Sequence, residues 1–378
     1  MRVNPRPGRR LGVGVCIRSG SDFSTLPLPG AVRRAPAWGF PRFAGLFLAF
    51  VSVLLTGCTP TTWLARRMQQ APNTFPTVLG PEPLVYYSFP GQWLTNFPAE
   101  TAVVGPPAAK LSYRIIEPAA YGFHLVSTNW PDGARQRYRF DFRAAVPGPT
   151  NAFTATPRGT LFLLHGYGVN GTTLLQWALT LAEDGWRCVL VDLRGHGEST
   201  GKKVYFGAQE SRDLAQLADE LERAGRLRPP YAVLGASYGA ALALKWAGED
   251  ARLGPVVALT PYAELQPAVL AIRDGYARWI PRFWVRAAAA RLPRLVGVDA
   301  AGLDPLRWLT DRPVRALFVA TGHDPIAPPD AVKRLHAAAP PGSAYEHLAT
   351  GIHETAPFQF GDLLPSVRAW LNAPVAPP

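Results

Sequence analysis

Cysteine is scarce in this sequence, with three residues among 378, at positions 16, 58 and 188. No two of them stand in C-x-x-C spacing and no H-E-x-x-H occurs, so neither a disulfide framework nor a spaced set of metal ligands is expected. Cys188, beside the apolar run Val189-Leu190-Val191, reads as a small buried hydrophobe. Acidic residues are nearly missing from the first 57 positions, which hold eight arginines and Asp22 alone. Setting those eight of 39 basic and one of 27 acidic residues aside lowers the formal charge from +12 to +5. The surplus is therefore terminal, and the remaining surface charge gives no footprint for a nucleic-acid partner.

What the terminal segment does contain is a pattern. Arg33, Arg34 and Arg42 precede the apolar run Phe43 to Leu55, which is of signal-peptide length and too short to span a bilayer comfortably as a helix. The run ends in Leu55-Thr56-Gly57-Cys58, which resembles the lipobox of bacterial lipoproteins. That resemblance implies cleavage before Cys58, a diacylglyceryl group on its thiol, and a protein lipid-anchored on the exported side of a membrane. More than one acyl chain on the residue meets the requirement for stable anchoring. An ordinary secretory signal with a coincidental cysteine is the other reading. The stretch before Arg33 is long for a signal peptide, so translation is expected to start downstream, near Val32.

Residues 58–110 are rich in proline and are expected to form an extended tether from the lipid to the domain. Tyr86, Tyr87, Phe89, Trp93 and Phe97 are many aromatics for a free linker, so part of it is expected to pack on the domain. The strand-like runs Gly122 to Ser127 and Arg135 to Phe142 flank Pro131-Asp132-Gly133 and predict an antiparallel hairpin. From Gly159 onward the rhythm is strand, loop, helix. Strands are expected at 160–164, 188–192, 231–234, 256–260, 316–320 and 344–348, with amphipathic runs between them, such as the one carrying Leu214, Leu217 and Leu221. Short apolar strands alternating with helices predict an α/β class: a mostly parallel sheet covered on both faces, with the antiparallel hairpin expected at its front.

Two short motifs compete to explain this half of the chain. Gly235-Ala236-Ser237-Tyr238-Gly239 stands between the strand-like Tyr231 to Leu234 and the helix-forming Ala240 to Ala247, the setting of a nucleophile elbow. The pattern alone is weak, and Gly197 to Gly201 repeats it around Ser199, but without a strand before it or a helix after it. Context selects Ser237. The rival is Gly166-Tyr167-Gly168-Val169-Asn170-Gly171, a G-x-G-x-x-G after a strand with Asp192 about 20 residues on. A dinucleotide-binding reading of it leaves Ser237, Asp324 and His353 unexplained.

The runs LFLLHGYG, VLVDLRGHGEST and LGASYG together closely resemble the α/β-hydrolase fold enzymes, in particular the monoacylglycerol-lipase-like serine hydrolases, over residues 111–375. The resemblance implies an oxyanion hole from the backbone N–H groups of Tyr167 and Tyr238, with His165 and Arg194-Gly195-His196-Gly197 structural. It implies the chain order Ser, Asp, His, which places the acid at Asp324 after a late strand and the base at His353 after the last one. Asp304 and Asp311 are the competing acids, and His323, His336 and His347 the competing bases. The insertion 261–313, with Tyr262, Tyr276, Trp279, Phe283, Trp284 and Trp308, matches the position of a small helical cap after the sixth strand. It is expected either to form an apolar acyl-binding lid that touches the membrane or to pack cap against core. The expected activity is cleavage of a carboxylic ester or thioester with no cofactor. A proline-aminopeptidase-like peptidase and a non-catalytic lipoprotein are the alternatives.

Overall fold

The computed structural model describes residues 59–74, 85–88, 92–132, 135–144 and 156–373. Cys58 and the apolar run before it lie outside the described residues. In chain order the strands are β1 (Val85–Ser88), β2 (Glu100–Val104), β3 (Ala109–Ile116), β4 (His124–Asp132) and β5 (Arg135–Arg143). Then follow β6 (Gly159–Leu164), β7 (Trp186–Val191), β8 (Tyr231–Ala236), β9 (Leu253–Leu259), β10 (Ala316–Thr321) and β11 (Ala344–Leu348). Eight of them form one sheet in the order β11-β10-β9-β8-β6-β7-β3-β2. From β7 to β11 every pair is parallel, and β3 and β2 add an antiparallel edge.

The parallel strands are apolar along their whole length because both faces are covered. On β6, Phe162 and Leu164 face one layer and Leu161 and Leu163 the other, as the two-residue period of a strand requires. The first layer holds α1 (Pro60–Gln69), α3 (Glu210–Arg223), α4 (Tyr238–Glu249) and the cap; the second holds α2 (Leu175–Glu183) and the C-terminal helix α10 (Phe360–Asn372). On α3, Leu214, Leu217 and Leu221 are buried at helical spacing. Each contributes roughly 1.5–3 kcal/mol of apolar burial. The cap comprises α5 (Leu265–Tyr276), α6 (Arg282–Ala289), α7 (Leu292–Val296) and α8 (Pro305–Asp311), inserted between β9 and β10, and α9 (Pro329–Ala338) precedes β11.

Two expectations are corrected. Residues 124–143 do form an antiparallel hairpin, but β4 and β5 join β1 in a separate three-stranded sheet. The antiparallel edge of the main sheet is β2–β3, where Ala102, Val104, Leu111 and Tyr113 alternate into the core. The hairpin turns inward differently: Phe140 stacks on Phe358 with ring centroids 4.6 Å apart.

The second correction concerns the tether. The described part of 58–110 is folded onto the domain almost from its start. Thr59 caps α1, its hydroxyl accepting from the Thr62 N–H at 3.2 Å, and Pro60 occupies the first turn. Leu64 and Ala65 are buried where α1 packs along α6 and α7. Beyond the helix, the Asn73 amide donates to the Ser199 carbonyl at 2.8 Å, and the Ala71 N–H donates to the Lys202 carbonyl at 3.1 Å. The prolines mark turns and a helix start here, not an extended chain.

A buried ion pair fixes the loop after β7. Arg194 donates to both oxygens of Asp213, at 2.6 and 2.8 Å, with both side chains at most 2% exposed, and to the Pro107 carbonyl at 2.8 Å. Asp213→Ala leaves the guanidinium buried and unpaired, so a loss of about 3–5 kcal/mol in urea denaturation is expected. The volume-filling double variant Arg194→Met/Asp213→Leu should lose less than that. A double variant no more stable than Asp213→Ala would show that packing, not uncompensated charge, sets the loss.

Candidate active site

β8 ends at Ala236 and α4 begins at Tyr238, which leaves a single residue, Ser237, to make the turn. Its backbone is held at φ +52° and ψ −112°, a conformation that costs a non-glycine residue about 1–3 kcal/mol. The Ser237 N–H donates to the Leu259 carbonyl at 2.8 Å, which ties the turn to β9. Two glycines make so sharp a crossing possible. A Cβ on Gly235 would stand 2.2 Å from the Gly239 carbonyl oxygen, and one on Gly239 would stand 2.0 Å from that of Leu164.

The two late loops converge on this serine. His353 Nε2 lies 2.6 Å from Ser237 Oγ, and His353 Nδ1 lies 2.7 Å from Asp324 Oδ2. The other carboxylate oxygen of Asp324 accepts from the N–H groups of Ile326 and Ala327, both at 2.8 Å. One oxygen thus fixes the acid's own loop and the other aims at the imidazole. The His323 N–H donates to the Gly351 carbonyl at 3.1 Å, binding the acid's loop to the loop that carries His353. Asp324 and His353 are buried while Ser237 is partly open to solvent. An activated serine needs a base within hydrogen-bond reach and an orienting acid behind it, and this geometry supplies both.

Gly166 borders the serine, and a Cβ on it would lie 3.6 Å from that of Ser237. The following residue, Tyr167, is half-exposed and sets its ring edge-on to Tyr238, centroids 5.9 Å apart. Tyr238 is the first residue of α4, so its N–H has no partner within the helix. Both tyrosines named by the sequence therefore flank Ser237.

The rival residues are occupied elsewhere. Ser199 is buried; its hydroxyl donates to the Asp192 carbonyl at 2.5 Å and accepts from the Ser112 N–H at 2.7 Å. The Asp192 carboxylate accepts from the N–H groups of Gly171 at 2.7 Å and Glu198 at 2.8 Å, so the acid of the G-x-G-x-x-G reading clamps two loops. Burial pushes the His165 imidazole down to about 4 and that of His196 to about 3, which holds both neutral. His165 Nε2 accepts from the Leu193 N–H at 3.0 Å. Asp304 accepts from the Leu265 N–H at the start of α5, and Asp311 pairs with Arg307 on the surface. His323 and His347 are exposed, and His336 packs near Phe318 and Tyr345. Among the described residues no group of three His, Cys, Asp or Glu side chains could hold a metal ion.

Sequence reasoning missed two contacts beside the site, and with them Glu354 and Met68. Glu354, next to His353, accepts a hydrogen bond from the hydroxyl of Tyr276 in the cap, and burial raises its carboxyl above the usual range. The Tyr167 hydroxyl lies 3.5 Å from the Met68 carbonyl of α1. Both contacts join segments far apart in sequence, and no local pattern announces them. A cleft of about 700 Å³ opens between α5, α6 and Pro325, with Gln266, Leu270, Ala271 and Arg286 among its walls.

Comparisons with known proteins bear on the fold and on the class of activity. Residues 155–313 match the family model described as serine aminopeptidase, S33. That stretch includes Ser237 and stops before Asp324 and His353. A protein of Bacillus subtilis (strain 168), YqkD, is 27% identical over 202 residues, which cover 53% of this chain and 64% of its own length, less than two thirds. Two structures of the Pyrococcus furiosus esterase Pf2001 align at TM-scores of 0.52 and 0.51 and 16% identity, each over 76% of this chain and over 95% and 97% of theirs. At that identity the likeness concerns the fold. The chain has the α/β-hydrolase fold, and the family match supports a hydrolase.

The closeness of β6 and α4 yields a direct test. Gly239→Ala places a methyl group where the Leu164 carbonyl oxygen already is, and overpacking at ordinary core sites costs about 1–3 kcal/mol. The variant should lose at least that much stability in urea titration, and folded material should have a serine that no longer reacts with a phosphonylating probe. Wild-type stability together with wild-type labelling would contradict the crossing described here.

Proposed function

We propose that this chain is a serine hydrolase that cleaves carboxylic ester or thioester bonds through an acyl-enzyme, anchored by lipid on Cys58 at the exported side of a membrane. The observation that carries the catalytic part is the relay from Asp324 through His353 to the strained Ser237. His353 Nε2 takes the hydroxyl proton as Ser237 Oγ adds to the acyl carbonyl. Asp324 keeps the imidazole in the tautomer that leaves Nε2 free, and stabilises its charged form. The amides of Tyr167 and Tyr238 receive the oxyanion, and the loss of one such donor typically lowers turnover about 10²–10³-fold. As the intermediate collapses, His353 gives its proton to the departing alcohol or thiol. A water then repeats the sequence, and the acid and free serine are released. The cleft beside Pro325 offers room for one arm of the substrate.

A second reading is a serine peptidase of the same architecture, favoured by the description of the family matched over residues 155–313. The same serine would serve it, so paired ester and amino-acid anilide substrates of one acyl group separate the two by their relative kcat/KM.

The first test is labelling with a fluorophosphonate. Wild-type protein should be labelled at Ser237; Ser237→Ala should lose both labelling and hydrolysis of a short-chain aryl ester. Labelling should nearly vanish in His353→Ala, where the serine has no base. Asp324→Asn should fold normally and lose turnover on the order of 10⁴-fold by analogy with serine-protease triads. Probe mapped to Ser199, or labelling that persists in Ser237→Ala, would overturn the assignment.

The anchoring part is tested separately. Cys58→Ser should abolish incorporation of labelled fatty acid in cells and slow removal of the terminal segment. Unchanged incorporation would remove the lipoprotein reading and leave the hydrolase reading standing.

A further inference from the structure

Large aromatic side chains stand in water along α1 and the cap. Trp63 is 60% exposed, Trp279 80%, Phe283 67% and Trp284 41%. Trp63 is on α1, Phe283 and Trp284 are on α6 and Trp279 is in the turn before it; α1 packs along α6, and Leu64, Ala65, Val285 and Ala288 are buried in one cluster. The surrounding charge is mostly positive, although Asp274 pairs with Arg273 and Arg282. From Leu265 to Val296 there are six arginines and a single acid, Asp274, and α1 adds Arg66 and Arg67 with none. Arg66 and Arg278, beside Trp63 and Trp279, are exposed. Among the described residues no helix is long and apolar enough to cross a membrane, so this face can lie against a bilayer but not pass through it.

We infer that the face formed by α1 and α6 is a docking surface for a bilayer containing anionic lipid. Indole rings are suited to the headgroup level, where one edge is apolar and the other wet, and arginines are drawn to a negative leaflet. The same charge opposes a second copy of the chain, since two such faces brought together would set arginines against arginines. The chain also arrives from the right side: α1 begins two residues after Cys58 and five after the apolar run ends at Leu55. The inference rests on the anchored reading for that direction of approach only. Docked this way, the bilayer would meet the rim of the candidate site, because the Tyr167 hydroxyl reaches α1 and Tyr276 of the cap reaches Glu354.

Hydroxyl-radical footprinting of the full chain tests it, with the protein reconstituted into vesicles of phosphatidylcholine alone or of phosphatidylcholine with phosphatidylglycerol. Trp130 serves as the internal reference; it is exposed on β4, whose hairpin packs on the opposite layer of the sheet. Relative to Trp130, oxidation of Trp63, Trp279 and Trp284 should be several-fold slower on the phosphatidylglycerol vesicles than on the neutral ones. The double variant Arg66→Gln/Arg278→Gln should shift the protein on anionic vesicles back toward the neutral pattern and leave hydrolysis of a water-soluble ester unchanged. Equal oxidation on the two lipids, whether fast or slow, overturns the inference. So does protection that follows protein concentration instead of lipid charge, which would assign the face to a second copy. Failure of fatty-acid labelling at Cys58 removes the anchor and not this result, because the vesicles present the lipid directly. Failure of Ser237 labelling removes the hydrolase reading and likewise leaves the footprint to be read.

Discussion

At the start of α4 the backbone comes so near β6 that a methyl group on Gly239 would meet the Leu164 carbonyl oxygen at 2.0 Å. That approach forces the chain through Ser237 in one residue, at a positive φ that a serine adopts only when its surroundings impose it. The surroundings here are rigid: β8 is buried on both faces, and the Ser237 N–H is held by β9. The strain is thus carried by a fully buried part of the sheet. A looser sheet would let the turn relax, and the hydroxyl would swing away from His353.

The remaining parts of the candidate site are held by backbone hydrogen bonds, with little reliance on long side chains. Asp324 is gripped by two amides of its own loop, and that loop is joined to the next through His323 and Gly351. The loop that bears Tyr167 is set by His165, whose second nitrogen accepts from Leu193. Burial keeps His165 neutral, so a residue with the chemistry of a base acts as a strut. Position and hydrogen-bond partners, not residue type, separate it from His353.

Legibility in the sequence followed the range of the interactions involved. The strand at 316–320 and the region around Ser237 are readable because a buried parallel strand and a tight strand-to-helix turn each leave a local pattern. Asp324 and His353 are named by the family resemblance, which says at which strand ends an acid and a base belong. The described part of the segment before residue 116 is only partly legible, for the opposite reason. In α1 only Leu64 and Ala65 among the apolar residues are deeply buried, and the prolines near it look like those of a linker. Its place is decided by α6, more than two hundred residues on. The β2–β3 edge was hidden in the same way, since its partner Val191 lies far from Tyr113 in the chain. Tyr276 and Glu354 could not be paired from sequence at all.

The spacing of the relay along the chain has a consequence for synthesis. Ser237 precedes His353 by 116 residues and the acid precedes the base by 29. The elbow is assembled from contacts made early, yet its base belongs to a loop after the edge strand β11, which can dock only when nearly the whole domain has emerged. A partly made chain therefore carries a bent serine without the group that would draw off its proton. Synthesis as far as residue 353 is itself the arming step, and a nascent chain short of it lacks the imidazole that stands beside Ser237.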